Sequence, residues 1–110
     1  MKLSVGGRPV TSNIKIARGF LTRLIGLTSW KRPEKELAFV LPGCNGIHTF
    51  FMKFPLDVIM LNKEGEVVLI KEGMKPNRAV FSFKAETIVE FMAGVVKKNR
   101  IRQGDRVRIS

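Results

Sequence analysis

The chain has one cysteine and one histidine, Cys44 and His48, which lie close together in the sequence, and Asp57 follows shortly after them. A thiol, an imidazole and a carboxylate are the groups that proteins use for nucleophilic catalysis, for proton transfer and for binding metal ions. A catalytic Cys–His pair needs a third group to orient it, and a zinc site needs a third protein ligand; the sequence makes neither evident. We therefore expect no metal and no cofactor, and binding is favoured over catalysis.

Asp57 is unusual because it interrupts a run of apolar residues, Leu56–Leu61. Burying a carboxylate without a partner costs free energy, so Asp57 should pair with a cation or with backbone amides. In one interpretation Asp57 caps a turn after Pro55. In the other, His48 and Asp57 meet across neighbouring strands and form a small polar site.

The elements that position these residues are predicted to be strands. Ile47–Met52 mixes β-branched and aromatic residues, which favours a strand, and Pro55 must end it, bulge it or place it at a sheet edge. Two further runs, Leu56–Leu61 and Glu66–Glu72, are separated by Asn62–Gly65, whose residues have turn chemistry. This pair is predicted to be a β-hairpin.

Shorter apolar runs mark the rest of the fold. Helical spacing predicts one short helix near residues 17–27, and Gly94–Arg100 is expected to form one helical turn. Strands are predicted in the remaining runs, which are residues 2–16 (two strands around Gly6-Gly7), 37–41, 79–83, 87–92 and 106–109. In the last strand, strict alternation points Val107 and Ile109 inward and the arginines outward. The fold class is therefore mainly β, a small β-sandwich or barrel-like domain of about 7–9 short strands.

Length and composition are typical of one globular domain. The chain has 110 residues, of which 45% are hydrophobic, and we expect residues 1–110 to form a single domain. It has no apolar run long enough for a transmembrane helix and no apolar signal core near its start. Together with a single cysteine, these features favour a cytoplasmic location.

The chain is strongly basic, with 20 basic and 9 acidic side chains and a net charge of +11. The excess is concentrated at both ends, in residues 1–35 and 97–110. Such a field attracts nucleic acid, anionic membranes or phosphorylated ligands. The sequence has no recognised nucleic-acid motif, however, and a basic surface also serves solubility and heat tolerance.

Several separated motifs resemble a known family. Arg18–Leu27, Ile47–Met52 and Pro55–Val58 occur in the order found in the family called domain of unknown function 192 (DUF192), and Glu90 and Gly104-Asp105 fit its downstream pattern. Many members read Trp-Met-Lys-Asn-Thr where this chain reads Phe-Met-Lys-Phe, so the chain resembles the branch with the Ile-His-Thr motif. The resemblance implies a compact, mostly β domain and no particular reaction.

The family's characteristic polar positions match Arg18, His48, Thr49, Asp57, Glu90 and Asp105. The resemblance suggests that Arg18 pairs with Asp57 or Glu90, and that His48 and Thr49 border a pocket beside them. These residues are then ligand-binding candidates. Alternatively, they form a buried polar network that fixes a single fold.

Three functional classes stay open at this point. The first is a binding or interaction module for a small ligand or a protein, with a polar site around His48 and Asp57. The second is a nucleic-acid-associated accessory protein that uses its basic surface. The third is a small metal-dependent or thiol-dependent hydrolase.

Overall fold

The computed structural model describes residues 1–16, 36–48 and 54–110, and it is mainly β as predicted. The strands are β1 (Leu3–Val5), β2 (Arg8–Thr11), β3 (Ile14–Ile16), β4 (Ala38–Pro42), β5 (Gly46–His48), β6 (Leu56–Leu61), β7 (Val67–Met74), β8 (Ala79–Phe81), β9 (Thr87–Met92) and β10 (Val107–Ile109). One short helix, α1 (Val95–Lys98), follows β9. The helix predicted near residues 17–27 lies outside the described residues.

A five-stranded sheet with the order β3-β4-β9-β6-β7 forms the centre of the molecule. Strand β3 pairs in parallel with β4, and the other neighbours are antiparallel. β6 and β7 form the predicted hairpin, and its turn is closed by a hydrogen bond from the Gly65 amide to the Asn62 carbonyl oxygen at 3.0 Å. Gly65 has a φ of 81°, the left-handed conformation for which glycine is suited.

The central sheet is covered on both faces, so its inner strands β4, β9 and β6 are almost entirely buried. On one face lies a three-stranded sheet with the order β10-β1-β2, here called the terminal sheet. The side chains between the terminal sheet and the central sheet form one core cluster, which includes Leu3, Val5, Ile59, Val89, Phe91, Val96 and Val107. Helix α1 contributes Val96 to this cluster, so α1 lies on the same side.

On the other face, β5 and β8 pair as a two-stranded ribbon, here called the ribbon. Side chains from the ribbon and its flanking turns pack with the central sheet in a second cluster, which includes Phe39, Leu41, Cys44, Ile47, Val58, Met60, Ala85 and Ile88. The molecule is therefore sandwich-like, and the described strands leave its sheets open rather than closing them into a barrel.

The structure also refines the boundaries predicted at the chain ends. Ten strands are described, one more than the upper limit predicted, because Ser12 and Asn13 separate β2 from β3. The Thr11 hydroxyl accepts a hydrogen bond from the Asn13 amide at 3.0 Å, a local turn that ends β2. The alternation predicted at the end of the chain is confirmed: Val107 is buried, Ile109 is half-buried against the same core, and Arg106 and Arg108 are exposed.

Candidate functional site

Asp57 is buried in β6, with only 1% of its surface exposed. It lies opposite Phe91 in β9, and its strand neighbours on the same face, Ile59 and Leu61, belong to the core beneath the terminal sheet. Because side chains alternate along a strand, the Asp57 carboxylate points toward the terminal sheet and α1.

Three backbone amides donate hydrogen bonds to the Asp57 carboxylate. The Gly73 amide donates to Oδ1 at 2.8 Å, and the amides of Gly94 and Val96 donate to Oδ2 at 2.9 and 3.0 Å. Gly94 is the N-cap of α1 and has no side chain of its own to cap the helix. Asp57 supplies that cap from a strand 37 residues earlier, so the predicted pairing with backbone amides is confirmed.

The third amide belongs to a bulge in β7. Leu56 pairs with Met74 and Val58 with Lys71, so two residues of β7 lie opposite Asp57 alone. One of these two is Gly73, whose φ of 58° is left-handed. The bulge turns the Gly73 amide out of the strand ladder and toward the carboxylate. Asp57 therefore joins β6, β7 and the start of α1.

Glu90 is the second buried carboxylate, with 6% of its surface exposed, but it points the opposite way. In β9 it lies opposite Val58 of β6 and Phe39 of β4, and both of these belong to the core beneath the ribbon. Directly opposed residues share a face of the sheet. The carboxylates of Asp57 and Glu90 are thus on opposite faces of the central sheet.

Of the other predicted site residues, the structure describes the strand position of His48. His48 ends β5, where it lies opposite Ala79 of β8, on the side of the central sheet that Glu90 faces. Arg18 and Thr49 lie outside the described residues. Strand β5 pairs with β8, while β6 lies between β9 and β7, so the strands of His48 and Asp57 are not paired neighbours. A contact between those two side chains stays a prediction.

Cys44 lies in the turn before β5, where its side chain is buried, with Sγ 3.8 Å from the Pro42 carbonyl oxygen. A reactive thiol is ordinarily accessible and lies in an electropositive environment, so burial does not favour nucleophilic chemistry here. Within the described ranges, no group of three or more His, Cys, Asp and Glu side chains could hold a metal ion.

Beside Cys44 is a cleft of about 320 Å³, lined by Gly43, Cys44, Asn45, Ala85, Glu86 and Thr87. Backbone hydrogen bonds hold its two walls together, from the Cys44 amide to the Glu86 carbonyl oxygen at 3.0 Å and from the Ser82 amide to the Asn45 carbonyl oxygen at 2.9 Å. Its volume is at the small end of the range for ligand sites in proteins.

The most unusual surface feature adjoins this cleft. Phe81, at the end of β8, is 51% exposed, and Phe83, in the following turn, is 91% exposed. Their rings meet edge to face, with centroids 4.7 Å apart and an angle of 85° between the planes. Large aromatic side chains that remain exposed together mark interaction sites more often than isolated ones do.

The sequence contained a signal for this pair that reasoning from motifs missed. Val80 is inward, so the alternation of a strand places Phe81 and Phe83 together on the outward face. Residues 79–83 were predicted only as one strand, with no face assigned to Phe81 and Phe83. In the structure β8 ends at Phe81, and Phe83 lies beyond it in a turn.

The molecule resembles two solved structures over nearly its whole length. One is a protein of unknown function from Novosphingobium aromaticivorans, with a TM-score of 0.85 and 18% identity, covering 98% of this chain and 84% of that one. The other is a candidate transcription regulator from Sinorhizobium meliloti, with a TM-score of 0.81 and 18% identity, covering 97% and 91%. At this identity the likeness shows the fold alone.

Two sequence relatives come from Thermococcus and Pyrococcus species. A UPF0127 protein from Thermococcus kodakarensis is 31% identical over 105 residues, covering 92% of this chain and 67% of that protein. A UPF0127 protein from Pyrococcus furiosus is 33% identical over 106 residues, covering 92% and 90%. The DUF192 family, described as Uncharacterized ACR, matches residues 1–109. The chain therefore belongs to the DUF192 family, as its motifs predicted.

Proposed function

We propose that the protein is a binding module that holds an acidic, partly apolar segment of a partner protein. The binding surface, here called the ribbon face, consists of Phe81, Phe83, Lys84 and the adjoining cleft. The observation that carries the proposal is the exposed edge-to-face pair of Phe81 and Phe83. Aromatic anchors contribute most to binding when they enter a partner's pocket and lose contact with water.

The ribbon face is preorganised for such a contact. The turn that presents Phe83 is closed by Ser82, whose carbonyl oxygen accepts from the Ala85 amide at 3.2 Å and whose hydroxyl accepts from the Lys84 amide at 3.3 Å. Phe81 lies over Gly46, where even a Cβ would approach its Cδ2 to 3.2 Å. Rings that are already held in place lose little conformational entropy on binding.

Charge favours an acidic protein as the partner. The chain carries a net charge of +11, and Lys84 is exposed directly beside Phe83. A field of this sign accelerates the approach of an acidic segment and repels a second copy of the chain. Glu86 lines the cleft, and its carboxylate would repel acidic residues of the partner from it. Those acidic residues would therefore face Lys84.

The polar candidates divide between two roles in this proposal. Asp57 is a structural residue, which the three amide hydrogen bonds support. His48 remains a candidate to border the binding surface with Glu90, because β5 and the Glu90 side chain share the ribbon side of the central sheet. Arg18 and Thr49 remain candidates through the family motif alone. No helix that the structure describes is long and apolar enough to span a membrane.

The proposal is tested by selecting peptides from a displayed random library and measuring their affinity for variants. We expect the selected peptides to combine acidic residues with a large apolar residue. Phe83→Ala should weaken their binding about tenfold or more, as truncation of an anchor does. Lys84→Glu should weaken it as well, because it reverses the charge beside the anchor.

Ile16→Ala is the matched control, because Ile16 is an exposed apolar residue on β3, away from the ribbon. It should leave affinity unchanged, and thermal unfolding should show that each variant folds. Selected peptides that are basic, or that bind Phe83→Ala as tightly as the unaltered chain, would contradict the proposal. The proposal would also be wrong if a small molecule bound in the cleft without contacting Phe83, since the cleft would then be a small-molecule site. It would be wrong, too, if the chain dimerised and Phe83→Ala abolished the dimer, since the ribbon face would then be a dimer interface.

A further inference from the structure

The two basic ends of the chain come together in the terminal sheet. Strand β1 pairs antiparallel with β10, so that Ser4 lies opposite Arg108 and Val5 opposite Val107. The Lys2 amide donates to the Ser110 carbonyl oxygen at 2.7 Å, which extends the pairing to the ends of the chain. Residues that are far apart in the sequence thus form one continuous surface.

The outer surface of this sheet is cationic. Val107 faces the core, and alternation leaves Arg106 and Arg108 exposed to solvent. Four further basic residues are exposed around this sheet, namely Lys2, Arg8, Arg100 and Arg102. Arg8 lies opposite the core-facing Val5, so it is at the β2 edge of the sheet and not on its outer face. Two carboxylates lie at its margin: Asp105 accepts from the Arg102 amide at 2.8 Å, and Glu66 accepts from the Asn62 side chain at 3.2 Å.

Arg100 provides a second, independent observation. It follows α1, where the Ile101 amide donates to the Val96 carbonyl oxygen at 3.0 Å and the Arg100 amide donates to that of Lys97 at 3.2 Å. This double hydrogen bond is the Schellman ending of a helix, which ordinarily places glycine or asparagine in the left-handed position. Here that position holds an arginine with a φ of 53°. An arginine thus occupies a position where glycine would relieve backbone strain.

The position of Arg100 joins it to the terminal sheet. Nη2 of Arg8, in β2, lies 3.4 Å from the Arg100 carbonyl oxygen. The turn after α1 therefore lies at the β2 edge of the sheet beside the Arg8 guanidinium, and the exposed Arg100 adds a second cation at this edge.

We propose that the terminal sheet and the turn after α1, here called the basic face, bind the phosphate backbone of double-stranded nucleic acid. Among the residues that the structure describes, the exposed aromatic side chains are on the ribbon side, and the basic face holds none. Binding of a single strand usually combines cations with aromatic platforms for stacked bases. Cations without such a platform suit phosphate contacts, which carry no base information.

The test is a salt titration of binding to short labelled duplexes of DNA and of RNA, which distinguishes the two sources of the same phosphate backbone. The logarithm of the affinity should fall linearly with the logarithm of salt concentration, and unrelated sequences should bind equally. The variant R106Q/R108Q should lower the magnitude of that slope by about 1.8, because each phosphate that an arginine no longer neutralises removes about 0.9. The matched control K71Q/R78Q removes the same charge from the ribbon side, where Lys71 lies opposite Val58 and Arg78 directly precedes β8, and it should leave the slope unchanged.

Arg100→Gly separates binding from folding, because glycine suits the left-handed backbone there. Its melting temperature should equal or exceed that of the unaltered chain, while the salt slope falls by about 0.9. Equal losses in R106Q/R108Q and the control would show only a general field and overturn the proposal. So would tighter binding to a single strand, or to vesicles of anionic lipid, than to the duplexes at the same salt concentration.

Discussion

At the residue scale, Asp57 shows how a single buried carboxylate can hold distant parts of a chain together. Its two oxygens accept from the amides of Gly73, Gly94 and Val96, which belong to β7 and to the start of α1. Hydrogen bonds to a charged acceptor are stronger than neutral ones, and they offset the cost of burying the charge. We therefore propose that Asp57 is a structural residue of this chain.

Replacing Asp57 with asparagine should lower the free energy of unfolding by about 2–4 kcal/mol, because one oxygen becomes an amide donor that faces backbone donors. Urea unfolding of the purified variant measures this loss. Asp105→Asn is the control, since Asp105 accepts one amide bond, from Arg102, in a more exposed turn. It should cost less than about 1 kcal/mol. Equal stability of the Asp57 variant and the unaltered chain would refute the structural role.

At the element scale, the bulge in β7 and the turn after β8 are both irregular backbone segments that hydrogen bonds hold in place. Gly73 takes a left-handed conformation and directs its amide to Asp57. The turn after β8 is closed by Ser82 and presents Phe83. The regular strands thus supply the apolar core. The bulge and the turn that interrupt them position the Gly73 amide and the Phe83 ring.

Substitutions at Gly73 test how much the left-handed backbone of the bulge contributes to stability. No atom lies within 4 Å of a Cβ added at Gly73, so a substitution meets no steric contact there. Gly73→Ala should still cost about 1–2 kcal/mol, the penalty for an L-residue in the left-handed region. Gly73→Asn should cost less, because asparagine tolerates that region. Thermal unfolding of both variants checks the order, and equal losses would show that conformation is not the cause.

At the scale of the whole molecule, the central sheet separates two surfaces of different character. The ribbon side carries the exposed aromatic pair and the cleft, and the terminal-sheet side carries the basic face. A separate core cluster lies between each of these surfaces and the central sheet. Under both proposals, one molecule could hold an acidic protein segment and a nucleic-acid duplex at the same time, on opposite sides.

The strands were predictable because their signals are local. Alternation fixed the orientation of β10, and Asn62 and Gly65 carry the turn chemistry of the β6–β7 hairpin. The partners of Asp57 were not predictable, because they lie up to 39 residues away and depend on how β6, β7 and α1 pack.

The separation of Asp57 from Glu90 could not be read from the sequence either. It depends on the register of β6 against β9, which pairs Asp57 with Phe91 and Val58 with Glu90. A shift of one residue would bring both carboxylates to the same face. The sequence identified the polar residues of the candidate site, therefore, but sheet pairing decides which of them share a side.

Amide NMR spectra of the labelled chain can show directly whether the ribbon face is the binding surface. A peptide selected from the displayed library would be titrated into the protein, and the shifted amides would be mapped. We expect the shifted amides to cluster around Asn45, Ser82 and Lys84, with the amide signals of Arg106 and Arg108 unchanged. Shifts centred on Arg106 and Arg108, with the amides around Phe83 unchanged, would contradict it.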